Sequence, residues 1–201
     1  MTDNKIITDR EEMLEAVKKD GWALENASDS LKADREVVIE AVRNDGEALD
    51  FADDSLKADR EVVLEAIECL YTNALVGSPL QYADDSLKAD REFVLEAVKL
   101  NGAALEYADD SLKADREFVL ETVKTWGISL EYASDTLKAD REVVIEAVRN
   151  DGWALENASD SFKADREVVI EAIRSGGGYA LKFASEELQN DPELKKLAEG
   201  G

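Results

Sequence analysis

Hydrophobic and polar residues alternate along this chain in a pattern that repeats about every 25 residues. The dipeptide Asp-Arg opens each copy of the pattern, at Asp9, Asp34, Asp59, Asp90, Asp115, Asp140 and Asp165, and a degraded eighth copy begins at Asp191. The successive spacings are 25, 25, 31, 25, 25, 25 and 26 residues. Self-similarity at a fixed period is typical of repeat architectures. The sequence therefore predicts seven full repeats followed by a terminal fragment.

Each repeat, numbered from its Asp as position 1, begins with the pattern of a short amphipathic helix. Asp at position 1 is a favoured N-cap, and Glu at position 3 places negative charge beside the positive end of the helix. Apolar residues at positions 5, 6, 8 and 9, as in Val38, Ile39, Ala41 and Val42, predict one buried stripe. Glu at position 7 and Lys or Arg at position 10 predict an ion pair on the exposed face.

The second half of each repeat predicts another short helix. Gly at position 13 is expected to end the first helix in the left-handed conformation, which glycine adopts without steric cost. The second helix is predicted over positions 14 to 20. Leu at position 23 then belongs either to a continuing helix or to a separate 3₁₀ turn, and the pattern favours neither. The glycine run at 176–178 predicts a flexible joint.

Stacking of the repeats has to supply the stability, because 25 residues cannot bury enough apolar surface to hold two helices. The predicted fold is all-α, an α-solenoid of about 25-residue helical-hairpin repeats in a single domain, 1–201. Residues 9–190 form seven full units, the third with a six-residue insertion. Residues 1–8 are expected to mimic the tail of a missing repeat, with Ile6 at position 23, and 191–201 to form a C-terminal capping helix.

Composition and charge exclude several classes of function. The 201 residues include no His and one Cys, and 47 Asp and Glu against 24 Lys and Arg give a net charge of -23. Without imidazole the usual hydrolytic triads and zinc or haem ligands are missing, so no enzymatic activity, metal or cofactor is expected. The charge disfavours nucleic acid and anionic membranes. No signal peptide or membrane span is apparent, so a soluble, cytoplasmic monomer is expected.

Several phrases in the chain resemble one known family. They are the consensus Asp-Arg-Glu-Val-Val-Leu-Glu-Ala-Val, the segment Asn-Gly-Ala-Ala-Leu-Glu-Tyr-Ala, and the tail over 184–194. They are similar to the tandem repeats of the family called domain of unknown function 4116, and the likeness covers nearly the whole chain. The resemblance implies a helical repeat protein. It carries over no catalytic or ligand-binding residue.

The third repeat departs most from the pattern. It has six more residues than its siblings between Ile67 and Gly77, which predicts a longer first helix. That helix would carry Leu70, Tyr71, Leu75 and Val76 beyond the regular stack, where they would form a partner site, unless they fold back as a local plug. Cys69, in the same insertion, has no basic neighbour and is expected to be inert.

Large aromatic residues also interrupt the pattern, and they are candidate binding anchors. Trp22, Trp153 and Tyr179 occupy the variable position 14, and Trp126 occupies position 12. Tryptophan and tyrosine dominate interface energetics, although these rings could instead cover the gap left by glycine. The Arg at position 2 and the Lys at position 24 are expected to pair with carboxylates at positions 17, 20 or 21 of neighbouring units rather than bind an anionic partner.

The favoured hypothesis is a non-enzymatic protein-binding scaffold. An acidic α-solenoid would engage a basic or amphipathic protein partner through one face, with the extension of the third repeat as a possible addition. One alternative is an acidic mimic of nucleic acid that blocks a DNA- or RNA-binding protein, which requires carboxylates at phosphate-like spacing. Another is an engineered consensus repeat without a natural ligand.

Overall fold

The structure, a computed structural model, describes residues 6–73 and 78–200, with the side chains of 70–73 left out. Regular secondary structure in the described ranges is helical, apart from one isolated bridge between Ile7 and Ala27. The predicted all-α solenoid of helical repeats is confirmed. Contacts group the chain into two compact units, Met1–Ala108 and Asp109–Gly201. The assignment of a single domain stays a prediction.

Each full repeat contains a long α-helix, a 3₁₀-helix and a four-residue α-helix, in that order. The helices of unit 1 are α1 (Arg10–Lys19), η1 (Gly21–Asn26), α2 (Asp29–Lys32), α3 (Arg35–Asn44), η2 (Gly46–Phe51), α4 (Asp54–Lys57), α5 (Arg60–Asn73), η3 (Pro79–Tyr82), α6 (Asp85–Lys88), α7 (Arg91–Leu100) and η4 (Gly102–Tyr107). Those of unit 2 are α8 (Asp110–Lys113), α9 (Arg116–Thr125), η5 (Gly127–Tyr132), α10 (Asp135–Lys138), α11 (Arg141–Asn150), η6 (Gly152–Asn157), α12 (Asp160–Lys163), α13 (Arg166–Gly176), η7 (Gly178–Phe183), α14 (Glu186–Gln189) and α15 (Pro192–Glu199).

The predicted second helix is shorter and tighter than expected. In the second repeat it is the 3₁₀-helix η2, over positions 13 to 18, and Asp45 caps it by accepting the backbone N–H of Glu47 at 2.9 Å. Ala52 at position 19 is extended, with φ -68° and ψ 155°, so the helix cannot continue. The segment around Leu56 is therefore a separate four-residue α-helix, which is neither the continuing helix nor the separate 3₁₀ turn that the sequence left open.

The long helices follow the predicted caps but not the whole predicted stripe. Asp34 Oδ1 accepts the backbone N–H of Val37 at 3.2 Å, as an N-cap does. The buried face consists of positions 4, 5, 8 and 9, as in Val37 and Val38. Ile39 at position 6 is only half-buried, so its place in the stripe is corrected. With 3.6 residues per turn, position 6 lies about 200° around the helix from position 4.

The left-handed conformation predicted for Gly at position 13 is wrong in the described repeats. Positive φ is found there at Gly177, at 69°, which ends α13 but lies at position 12, one residue before Gly178. At position 13 the glycine instead permits a close approach between repeats. A Cβ added at Gly46 would lie 2.3 Å from the carbonyl oxygen of Ala66, and one at Gly152 would lie 2.1 Å from that of Ala172. Each of these glycines thus presses against the long helix of the next repeat.

A row of backbone hydrogen bonds joins consecutive repeats. The N–H at position 20 donates to the carbonyl at position 24 of the preceding repeat, over 2.8–3.0 Å, in the pairs Ser28–Ile7, Asp53–Lys32, Asp84–Lys57, Ser134–Lys113, Ser159–Lys138 and Ser185–Lys163. These bonds involve no side chain. They can therefore form with any residue at position 24 and with any residue except proline at position 20.

The two ends of the described chain continue the features of the repeats. Ile7 takes position 24 of the repeat that would precede Asp9, and its carbonyl accepts the N–H of Ser28. Ile6 at position 23 is 63% exposed. At the other end, Asp191 caps α15 and Pro192 occupies its first turn.

The glycine contact yields a stability prediction. Replacing Gly46 by Ala should destabilise the fold by about 1–3 kcal/mol, because the new methyl group meets the backbone of the next repeat. Gly200→Ala is the matched control, since its nearest contact would be an ordinary 3.4 Å. Urea denaturation followed by circular dichroism measures both variants. Equal stability of G46A and the parent chain would contradict the close-approach argument.

Candidate functional site

The first surface built by the repeats is a charged ladder along the long helices. Arg at position 2 reaches the Asp at position 1 and the Glu at position 3 of the next repeat. Arg141, for example, lies 2.6 Å from Asp165 Oδ2 and 2.6 Å from Glu167 Oε2. The same arrangement recurs at Arg10, Arg35, Arg116 and Arg166. The predicted partners at positions 17, 20 and 21 are wrong for these arginines, because stacking brings the start of the next long helix beside them.

The Asp at position 1 serves two purposes at once. Asp140 Oδ1 accepts the backbone N–H groups of Glu142 and Val143, at 3.0 and 3.1 Å, and so caps its own helix. Its Oδ2 accepts a hydrogen bond from Nε of Arg116, in the preceding repeat, at 2.8 Å. The hydrogen bond from Arg116 holds the pKa of Asp140 below its usual value. One carboxylate therefore links helix initiation to the contact between repeats.

A second charged row uses positions 7 and 10. Arg43 Nε lies 2.9 Å from Glu65 of the next repeat and Arg43 Nη1 lies 3.7 Å from Glu40 of its own helix, which confirms the predicted i,i+3 pair. Three lysines at position 24 pair with the Asp at position 21 of their own repeat rather than of a neighbouring repeat: Lys57, Lys88 and Lys113, with Lys88 at 3.3 Å from Asp85. These cations are thus engaged within the fold.

The polar side chain at position 11 forms a clamp to the preceding repeat, which was not among the sequence predictions. Asn150 Nδ2 donates to the carbonyl of Lys124 at 2.8 Å, and its Oδ1 accepts the N–H of Gly127 at 2.7 Å. Asn44 makes the same two contacts with the first repeat. The recurrence of Asn at the last residue of a long helix was the available signal. A side chain at this position ties the end of one repeat to the preceding one.

Cys69 occupies this clamp position in the third repeat. Its Sγ lies 3.2 Å from the carbonyl oxygen of Arg43, which it reaches as a weak donor. Burial raises the pKa of the Cys69 thiol. A raised pKa leaves little thiolate at neutral pH, in keeping with the expected lack of reactivity.

The second surface is formed by the 3₁₀-helices. Side chains three residues apart eclipse in a 3₁₀-helix, so positions 13 and 16 share one face and positions 14 and 17 share another. Leu at position 16 is buried, as at Leu24 and Leu155, whereas position 14 faces solvent where it is large. Trp22, Trp153 and Tyr179 are 44%, 44% and 45% exposed. The sequence-predicted anchors at position 14 therefore project from the fold.

In unit 1 this surface combines aromatic rings with carboxylates. Trp22 Nε1 donates to Asp45 Oδ2 at 2.8 Å, and the indole meets Phe51 edge-on with ring centroids 5.4 Å apart. Burial, with the negative charges of Glu47 and other acids nearby, raises the pKa of the Tyr82 hydroxyl. Trp22 is thus fixed in place on an electronegative surface.

In unit 2 the corresponding rings form a cluster. Trp153 stacks on Tyr179 with centroids 4.4 Å apart and an interplanar angle of 17°, and Phe183 lies 6.0 Å from Trp153. Lys182 Nζ lies 4.0 Å from the centroid of the Tyr179 ring. The cluster therefore contains its own cation–π contact.

Trp126 differs from the other predicted anchors. It is half-buried, and its indole Nε1 is fully enclosed with no hydrogen-bond acceptor among the described residues. Its position 12 holds a capping Asp or Asn in several other repeats, but Trp126 makes no side-chain cap. Trp126 is therefore not an exposed anchor of the kind formed by Trp22 and Trp153.

The extension of the third repeat is described in part. Helix α5 has 14 residues, whereas α3 and α7 have 10 each, so the predicted lengthening is confirmed for the backbone. The side chains of Leu70 and Tyr71, and all of Leu75 and Val76, lie outside the described residues. The partner site predicted there stays a prediction.

Two shallow grooves accompany these surfaces in unit 2. One has a volume of about 430 Å³ and is lined by Ile145 and Ile170, both at position 6, together with charged residues of the long helices. The other, of about 560 Å³, lies beside α15 and is lined by Ile173, Lys196 and Leu197, among others. Within the described residues no group of three or more Cys, Asp or Glu could hold a metal ion. No helix in that part is long and apolar enough to cross a membrane.

Comparison with known families agrees with this geometry. The profile of the family described as domain of unknown function (DUF4116) matches residues 9–57, 34–88, 59–113, 90–138, 115–163, 140–189 and 165–198. The chain belongs to this family. Each match spans two neighbouring repeats of the DUF4116 chain, and so includes the contacts that join one repeat to the next. No curated protein and no solved structure matches the chain significantly.

The double role of Asp140 predicts how stability depends on pH. Asp140→Asn keeps a good N-cap but removes the charge that pairs with Arg116, at an expected cost of about 0–1 kcal/mol at neutral pH. Because folding lowers the pKa of Asp140, the stabilisation is present above the unfolded value of about 3.9 and is lost as pH falls through the folded value. Urea unfolding should show the difference between D140N and the parent shrinking as the pH falls below the unfolded value of about 3.9. A difference independent of pH would contradict this.

Cys69 yields a prediction on thiol reactivity. Its burial and raised pKa should make the native thiol react with a disulfide reagent at neutral pH at least about tenfold more slowly than the thiol of the urea-unfolded chain. Absorbance of the released thiolate measures both rates. Because Cys69 is the one cysteine in the sequence, no other thiol contributes. Equal rates would contradict the prediction.

Proposed function

We propose that this chain is a non-enzymatic protein-binding scaffold that binds a basic or amphipathic protein partner on the surface of its 3₁₀-helices. The observation that carries the proposal is the exposure of Trp22, Trp153 and Tyr179. These rings stand on 3₁₀-helices, while position 16 and the long helices supply the core. Large exposed aromatic side chains are the residues that most often dominate binding energy at protein interfaces.

The distribution of constant and variable positions supports the same proposal. Positions 1 and 2 are Asp and Arg in all seven full repeats, and they pair consecutive repeats within each unit, as Arg10 with Asp34 and Arg116 with Asp140. Position 14 changes freely and holds Trp22, Glu47, Ser78, Ala103, Ile128, Trp153 and Tyr179. A residue that stacking does not fix is available for recognition. The 3₁₀ surface is therefore the part of each repeat that can differ without loss of the fold.

Charge favours a basic partner. The chain has a net charge of -23, and the exposed position 17 is acidic in five repeats, at Glu25, Asp50, Glu106, Glu131 and Glu156. Complementary charge accelerates association and selects against acidic partners. The same charge opposes direct binding of nucleic acid, and like-charge repulsion between copies favours a monomer.

The state of the carboxylates supports a function without catalysis. General acid–base chemistry needs carboxyl groups whose pKa values are tuned toward the working pH. Asp34, Asp140 and Glu171 instead have lowered pKa values, each because of a hydrogen bond from an arginine. These groups remain fully ionised near neutrality and act as structural acceptors.

A comparison of two double variants tests the proposal. The surface variant, Trp22→Ser with Tyr179→Ser, removes two exposed rings from the 3₁₀ surface. The matched control, Ile6→Ser with Leu197→Ser, removes two exposed apolar side chains elsewhere. Affinity capture from native lysate at moderate salt, with quantitative mass spectrometry, should recover basic partners with the parent and the control. Recovery with the surface variant should fall at least about tenfold.

Two results of the capture experiment would overturn the proposal. One is equal recovery by the surface variant and the control. The other is a set of captured proteins that is predominantly acidic. Circular dichroism melting curves confirm that both variants remain folded.

A further inference from the structure

We propose that the Trp22 surface, defined by Trp22, Asp45, Glu47, Asp50 and Phe51, binds the cationic side chain of an Arg or Lys in an extended segment of the partner. This inference rests on the proposed function and specifies the chemistry of one site within it. The five residues belong to η1, η2 and the residue before η2, which pack beside each other in unit 1.

The chain contains a natural comparison for this site. Residues 20–30 and 151–161 have the same sequence. In each segment a Trp occupies position 14 of its repeat and lies on a 3₁₀-helix. Both indoles are 44% exposed. Each also approaches the aromatic residue at position 18 of the next repeat, Phe51 for Trp22 and Phe183 for Trp153. The segment that carries the tryptophan is therefore the same at both sites, and the repeats that follow it differ.

The repeats that follow carry opposite charges at equivalent positions. After Trp153, positions 14 and 17 are Tyr179 and Lys182, and the Lys182 ammonium lies 4.0 Å from the Tyr179 ring centroid. Tyr179 in turn stacks on Trp153. The aromatic surface in unit 2 therefore already holds a cation supplied by the chain itself.

After Trp22, the same two positions are Glu47 and Asp50. These eclipsed positions place two carboxylates where unit 2 has a phenol and an ammonium. The negative charges of Glu47 and Asp50 contribute, after burial, to the raised pKa of Tyr82, so both act on this surface. The aromatic ring is present here, but positions 14 and 17 carry carboxylates where unit 2 supplies a cation. An external cation complements this surface.

The indole of Trp22 is ready to receive such a cation. Its Nε1 donates a hydrogen bond to Asp45 at 2.8 Å, and the ring packs edge-on against Phe51. The orientation of the indole is therefore set before binding. A fixed ring loses little conformational freedom on association. An Arg guanidinium can stack on an aromatic face while donating hydrogen bonds to carboxylates, and a Lys ammonium can do so as a point charge. An Arg- or Lys-bearing segment of a protein is therefore the occupant that the charges select.

Fluorine NMR of the full chain labelled with 5-fluorotryptophan tests the site residue by residue. The probe is a short soluble peptide of Arg-Gly-Ser repeats, and the control peptide carries citrulline in place of every Arg. The Trp22 resonance should shift with the Arg peptide, and the Trp153 resonance should not. The citrulline peptide should shift neither. Trp→Phe variants assign the three resonances, from Trp22, Trp126 and Trp153.

Exchanging the neighbours of the two tryptophans sharpens the test. Glu47→Tyr with Asp50→Lys gives Trp22 the residues that follow Trp153 at positions 14 and 17, and should weaken peptide binding about threefold to tenfold and abolish the Trp22 shift. Tyr179→Glu with Lys182→Asp gives Trp153 the residues that follow Trp22 at the same two positions, and should create a shift there. Melting curves verify that both variants are folded. The gain of response in unit 2 cannot come from damage to the fold.

Several outcomes would overturn the inference without touching the proposed function. They are equal shifts of Trp22 and Trp153 in the parent, a response to the citrulline peptide as large as that to the Arg peptide, and failure of the exchange to move the response. Absence of any peptide binding would also overturn it. The proposed function is judged separately, by whether partners captured from lysate depend on the exposed rings.

Discussion

The close approach of the backbone at position 13 to the long helix of the next repeat is the constraint on which the rest of the structure depends. Even one methyl group would not fit at Gly46 or Gly152, where it would lie 2.3 or 2.1 Å from a carbonyl oxygen of the next repeat. At this separation the 3₁₀-helix of one repeat covers the apolar face of the next, and 25-residue units that could not fold alone share a core. Glycine is thus required by space between repeats rather than by backbone dihedral angles within them.

Once the repeats are this close, the charged and polar contacts follow at fixed positions. Asp140 caps its own helix and accepts a bond from Arg116, and Asn150 holds the end of the preceding long helix. Ion pairs exposed to solvent contribute little individually, so their principal effect is to fix the register of one repeat on the next. Arginines of the ladder, such as Arg116, pair with carboxylates of the next repeat. Position 14 of the 3₁₀-helices is left to vary, and the exposed aromatic rings are found there.

Much of this could be predicted from the sequence, because the period, the caps and the apolar positions are local signals. The Asp-Arg marker located every repeat, and the Asp191-Pro192 start of α15 was correct. The errors concern the relation between repeats. Neither the partners of Arg35 nor the contact of Gly46 could be derived without knowing which positions stacking brings together.

The candidate site shows the same limit. Trp22, Trp153 and Tyr179 were found from their size at a variable position, and they are exposed. Trp126 was chosen by the same criterion and is half-buried, because position 12 lies at the junction between two helices rather than on the outer face. Even identical segments differ: Trp22 meets Asp45, whereas Trp153 stacks on Tyr179. Local sequence fixes a side chain's place in its repeat, but its neighbour in the next repeat decides its chemistry.

The row of backbone bonds between positions 20 and 24 has a consequence for how such a chain evolves. A repeat joined by these bonds on both sides carries the donor on one side and the acceptor on the other, and both are backbone groups. An in-frame duplication of one unit therefore inserts a layer whose two faces already match its new neighbours, with no compensating substitution. The stretches 31–46 and 137–152, which are identical in sequence, have the form that such copying leaves behind. Gene duplication can lengthen the stack of repeats first, and point mutation at position 14 can then change the exposed side chain of each new layer.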